Sequence, residues 1–118
     1  MSKIYIQNAE PVLTFSGSLS ASSGTSASVS GSALCTGYSR LIGGFISNAS
    51  SIAGSGFRVR QSFDSGLSWD VISASDQVAA CTAYNTEVNI RGNAVMVELR
   101  NAGTAASLVR ANFFLMPI

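Results

Sequence analysis

Apolar and polar positions alternate in short runs along most of this chain. Phe57 and Val59 alternate with Arg58 and Arg60, and Trp69 and Val71 flank Asp70. A period of two is the signature of a strand with one buried face, so residues 57–71 predict a hairpin. Val88, Ile90, Val95, Val97 and Leu99 flank Gly92-Asn93 in the same way. They predict a second hairpin, with strands 86–91 and 94–100 sharing a buried face around a two-residue turn. Residues 38–47 read as a strand in which Gly43-Gly44 marks a bulge or a close backbone approach. Residues 3–15 suggest one or two strands interrupted at Pro11, and 77–84 a weaker one. A turn at Asn101-Ala102-Gly103 precedes a long terminal strand over 104–116. No stretch sustains a helical period with caps. The predicted fold is all-β, an antiparallel β-sandwich or jelly roll.

The alternation behaves differently in two places. Residues 17–32 are dominated by serine, yet Leu19, Ala21, Ala27 and Val29 recur among the hydroxyls. This suits an ordered, extended arm lying on a neighbour, with a loose turn near Ser23-Gly24-Thr25, in preference to a flexible linker. The expected organisation is an N-terminal strand and arm over 1–34, then a sandwich domain over 35–118. Near the C-terminus, Phe113-Phe114-Leu115-Met116 is apolar on both faces of its strand. Its second face is expected to meet another protomer. Leu19, Val29, Phe113, Phe114, Leu115 and Met116 are therefore candidate interface residues.

Composition adds to this picture. The chain has 118 residues, enough for one packed core. Only 11% of its residues are charged and 47% are hydrophobic, against about 25% charged in ordinary soluble domains. So little charge suggests a surface that ends up covered by another subunit. A net charge of +1 gives no case for nucleic acid or an anionic membrane. No run approaches the ~20 apolar residues of a membrane span, and no signal peptide is evident. Arginine carries nearly all the positive charge. Arg58, Arg60, Arg91, Arg100 and Arg110 fall in strand-like segments. They form either a solvated sheet face or inter-subunit pairs with Asp70, Asp76, Glu87 or Glu98. Arg58 and Arg60 join the candidate interface on this ground. Cys35 and Cys81 follow no zinc or redox spacing, and synthesis in the cytoplasm favours two buried thiols over a bridge.

Candidate chemistry is sparse. The absence of histidine removes Ser-His-Asp and Cys-His nucleophilic systems and the commonest metal ligand. No phosphate-binding loop or dinucleotide fingerprint occurs, and neither cofactor nor metal is expected. Carboxylate pairs such as Asp64 with Asp70, or Glu87 with Glu98, lack the cleft and aromatic platforms of a glycosidase. The most specific motif is Ser62-Phe63-Asp64-Ser65-Gly66-Leu67-Ser68-Trp69. It resembles the Asp-box, a hairpin repeated in sialidase-like propellers and found singly in other β-proteins. A propeller needs repeated blades, and one copy does not build it. Asp64 is expected to accept turn N–H groups, Gly66 to supply a positive φ, and Trp69 to bury its ring across the turn, with Ser62 as a local partner. These four are a structural turn, and the chain is expected to be no enzyme.

Tyr38-Ser39-Arg40-Leu41-Ile42-Gly43-Gly44, the stretch from Arg60 to Asp70, the hairpin around Gly92 and the terminal strand together resemble the small jelly-roll accessory proteins of tailed-phage virions. The likeness covers roughly two-thirds of the chain. It implies a capsid decoration or cement protein, a homotrimer or higher assembly that binds the major capsid protein and stiffens the shell. On that reading the protein resides in the virion. The rival reading is a carbohydrate-binding module of a tail or fibre, with Tyr5, Tyr38 and Tyr84 as stacking platforms. Another tail or neck component has the same composition.

Overall fold

The computed structural model describes residues 9–21, 27–35, 38–52, 54–101 and 106–117. Eight strands follow one another: β1 (Glu10–Leu19), β2 (Ser28–Leu34), β3 (Tyr38–Ser47), β4 (Phe57–Ser62), β5 (Asp70–Ala74), β6 (Tyr84–Asn89), β7 (Ala94–Arg100) and β8 (Ser107–Pro117). They form two four-stranded antiparallel sheets, ordered β1-β8-β3-β6 and β2-β7-β4-β5. β1 pairs with β8, β2 with β7, β3 with β6 and β4 with β5. The chain is thus one long hairpin rolled up so that successive strand pairs fall in alternate sheets. That is the wrapping of an eight-stranded jelly roll.

Alternation along the strands explains the core. In β8, Ser107, Val109, Ala111, Phe113 and Leu115 are buried while Leu108, Arg110 and Asn112 face solvent. From the facing sheet, Phe57, Val59, Val95, Val97 and Leu99 are fully enclosed. Phe57 is central, with ring centroids 5.5 Å from Phe45, 5.4 Å from Tyr84 and 5.1 Å from Phe113. Each such side chain contributes roughly 1.5–3 kcal/mol of burial free energy.

Several expectations change here. The hairpin foreseen over 86–100 does not form, because β6 pairs with β3 and β7 pairs with β2 and β4, in the other sheet. Gly92-Asn93 instead carries the chain across the sandwich. Pro11 does not interrupt β1; a register shift between Pro11 and Leu13 accommodates it. Of the strand foreseen over 77–84, only an Ile52–Val78 bridge forms before β6 begins at Tyr84. Gly43 and Gly44 keep regular pairing, and a Cβ at Gly43 would lie 2.1 Å from the Asn112 carbonyl oxygen, so close approach is the reason for glycine.

The serine-rich stretch supplies the end of β1 and most of β2, which lie one at the edge of each sheet. Leu19 lies in the core and Val29 packs against it. The turn expected at Ser23-Gly24-Thr25, the 102–103 part of the later turn, Lys3 and Tyr5 lie outside the described residues. β8 is not an edge; it runs between β1 and β3, so Phe113 and Leu115 are fully buried. Phe114 and Met116 remain half-buried on the outer face, with Phe114 beside Pro11 and Ile42 and Met116 beside Arg40.

Candidate functional site: the Asp-box end of the sandwich

Ser62 is the last residue of β4, and its buried hydroxyl organises the turn into β5. Ser62 Oγ donates to Asp64 Oδ1 at 2.6 Å and accepts the amides of Asp64 and Gly66 at 3.2 and 2.9 Å. Asp64 then receives the far side of the loop. Ser68 donates its amide to Oδ1 at 2.9 Å and its hydroxyl to Oδ2 at 2.6 Å. Ser65 and Gly66 both take positive φ, 60° and 99°. Glycine meets that requirement freely, whereas Ser65 needs outside support. Asn93 provides it, accepting the Ser65 amide at 3.0 Å.

The turn is tied to the β6–β7 crossover. Asn93 donates its amide to the Ser62 carbonyl at 2.8 Å. Gln61 Oε1 accepts the amides of Arg91 and Gly92 at 3.0 Å each. Two loops that lie about 30 residues apart in sequence become one surface. Asp64 is the only carboxylate in this lattice. The Ser62 and Ser68 hydroxyls and the Ser68 amide hold its pKa well below the usual 3.8, at about 2. The hydrogen bonds stabilise the anion, not the acid. A carboxylate so depressed and so fully engaged is a poor general acid at neutral pH.

Trp69 is half-buried, not enclosed as the sequence suggested. Its indole edge lies over Gly66, where a Cβ would come 3.4 Å from Cζ2. It lines an open recess of 260 Å³ with Ser32, Ala33, Leu34, Ser65 and Ala94. Around this end stand four of the five exposed large apolar side chains among the described residues: Leu67 at 88%, Phe63 at 64%, Leu34 at 62% and Val71 at 49%; the fifth, Leu108, lies near the start of β8. Val71 points outward because the β4–β5 register shifts between Val59 and Arg60, which turns Ile72 toward the core instead. Sequence reasoning passed over Phe63 and Leu67 because the motif constrains their neighbours and not them. Large apolar residues in the unconstrained positions of a polar turn were the available signal.

Other candidate surfaces separate from this one. Arg58 and Arg60 lie on the outer face of their sheet and flank Glu98 of the same chain, with Nε to Oε1 distances of 3.9 and 2.8 Å. Neither Nε–H is aimed to make a hydrogen bond, so the contact is an ion pair alone. Glu98, one of the carboxylates considered for them, is thus their partner within the chain. Arg40 pairs with Glu87 at 2.5 Å on the other sheet, both well exposed, a contact worth ~1 kcal/mol or less. Tyr84 packs on Phe45 and Phe57, and Tyr38 is half-buried against the core, so neither offers an open stacking face. Cys35 is buried, which raises its thiol pKa. Cys81 is exposed, not buried as expected, and the two remain unbridged. Among the described residues no group of three or more His, Cys, Asp or Glu could hold a metal ion.

The Asp-box end can therefore bind by burying apolar surface on a rigid frame. Comparison with protein-family models, curated proteins and solved structures returns no match to this chain.

Proposed function

We propose that this chain is a non-enzymatic structural protein that works by docking its Asp-box end onto another protein. The observation that carries the reading is the cluster of Leu34, Phe63, Leu67 and Val71 around the Trp69 recess. Exposed apolar side chains held on a rigid turn favour protein association, because their burial costs little ordering entropy. A jelly roll with low charge and an engaged Asp64 suits a mechanical role. The resemblance noted in the sequence supports one setting, the decoration of a tailed-phage shell, where each copy would cover a seam between capsid subunits.

The test is to add purified protein to preformed tailed-phage capsids that lack it. Saturable, stoichiometric binding with a raised capsid melting temperature is the expected result. Leu67→Glu combined with Leu34→Glu should abolish that binding. Capsids that neither bind nor gain stability would sink the proposal.

Trp69 itself favours a second reading. A half-exposed indole beside the Ser32 and Ser65 hydroxyls has the elements of a sugar subsite. It is the only tryptophan in the chain, so its fluorescence reports any occupant directly. Quenching by a glycan, with no shell binding, would reverse the order of the two readings.

A further inference from the structure

Four strands form the open edges of the two sheets: β1 and β6 in one, β2 and β5 in the other. An edge presents unpaired N–H and C=O groups that template pairing with another chain. Proteins blunt edges with charge, proline, bulges or brevity. Three of these edges are blunted. β1 opens with Glu10-Pro11 and shifts register between Pro11 and Leu13. β6 carries Glu87, ion-paired across the strand to Arg40. β5 is only five residues long, begins at Asp70 and is offset by the register shift against β4.

β2 has none of these devices. Its seven residues, Ser28-Val29-Ser30-Gly31-Ser32-Ala33-Leu34, hold no charge and no proline. They pair with β7 in unbroken register on one side, and no described strand pairs with the other side. The edge is also held firm from within. The β1 backbone lies so close over Gly31 that a Cβ there would sit 2.1 Å from the Val12 carbonyl oxygen. A preformed edge loses little entropy on pairing.

We propose that the free edge of β2 pairs antiparallel with β2 of a second copy of this chain, about a two-fold axis through Gly31. The strand is its own complement in that register. Ser30 falls opposite the partner's Ser32, Val29 opposite the partner's Ala33, and Ser28 opposite the partner's Leu34. The exposed positions Ser28, Ser30, Ser32 and Leu34 stay on the outer face, and the half-buried Val29, Gly31 and Ala33 stay on the inner one. A slip by one residue would invert the faces, so the register is specified. A foreign strand would meet a row of serines with no pocket to read its side chains, which favours self-pairing. The two four-stranded sheets become one continuous eight-stranded sheet. The contact is isologous and builds two-fold assemblies; the trimer expected from the sequence would need a different surface. This holds whatever the assembly binds.

Light scattering on the purified wild-type chain tests it first. The expected mass is twice the 12.2 kDa of one chain. Ser30→Lys with Ser32→Lys places like charges across the axis, as does Ser30→Glu with Ser32→Glu. Each double variant should run as a monomer with an unchanged far-ultraviolet spectrum. An equimolar mixture of the two should regain the doubled mass. A wild-type monomer or trimer, double variants that stay dimeric, or a mixture that fails to associate would each overturn the proposal.

Discussion

Hydroxyl networks organise both ends of this sandwich, and they solve the same problem by opposite means. At one end Ser47, the last residue of β3, and Ser107, at the start of β8, meet in a buried knot. Their hydroxyls lie 2.7 Å apart, Ser47 Oγ donates to the Ser50 carbonyl, and Ser107 Oγ accepts the amides of Ala49 and Ser50. Every member is neutral. At the other end the Asp-box turn is exposed and centres on an anion. Desolvation explains the division: a carboxylate in the buried knot would be costly, whereas at the exposed turn the hydrogen bonds to Ser62 and Ser68 outweigh what desolvation Asp64 meets. The buried network should govern stability, and the exposed one should govern loop shape and respond to pH.

The largest effect expected is that of Ser107→Ala. It strips the buried Ser50 amide, the part-buried Ala49 amide and the Ser47 hydroxyl of a partner, and should destabilise the fold by about 3 kcal/mol in denaturant unfolding. Ser62→Ala also removes a buried hydroxyl, but the amides it leaves belong to exposed Asp64 and half-buried Gly66, which water can partly reach, so it should cost about 1.5 kcal/mol. Equal losses at the two sites would break the comparison. Asp64→Asn should cost less than either, and its signature is pH dependence. The folded pKa lies below the unfolded one, so the stabilisation is present above the ordinary value of 3.8 and is lost as pH falls toward about 2. Thermal midpoints of the wild type should drop more steeply through that window than those of Asp64→Asn. Leu67→Glu, at the most exposed large apolar position among the described residues, should change stability by less than ~0.5 kcal/mol. A larger shift would mean that the turn's apolar residues hold the fold as well as facing outward.

Much of the architecture was legible in the alternation of side chains. The all-β sandwich and the inward faces of β4 and β7 followed from a period of two. What the period cannot carry is the partner of each strand. Gly92-Asn93 looks the same locally whether the chain turns back in its own sheet or crosses to the other. The crossing is decided by β3 on one side and β2 and β4 on the other, far away in sequence. Likewise Phe113-Phe114-Leu115-Met116 reads as a two-sided apolar strand, but only the flanking β1 and β3 make it central. At the candidate site, the Asp64 turn was legible because its bonds span no more than four residues. The Asn93 and Gln61 braces, which come from or reach to the distant crossover, were not.

The Asp-box turn has one more consequence, for the order in which the chain finds its structure. Of the strand pairings described, β4 with β5 alone joins neighbours in sequence. Three further pairs, β3 with β6, β2 with β7 and β1 with β8, enclose one another like nested brackets, and the β4–β7 and β3–β8 pairings join them side by side within the sheets. Each inner pair, once closed, shortens the loop that the next must close, and shorter loops lose less entropy on closing. Folding should therefore zip outward from residues 62–69, with the termini docking last. Substitutions in this turn should slow refolding, while substitutions in β1 should chiefly hasten unfolding.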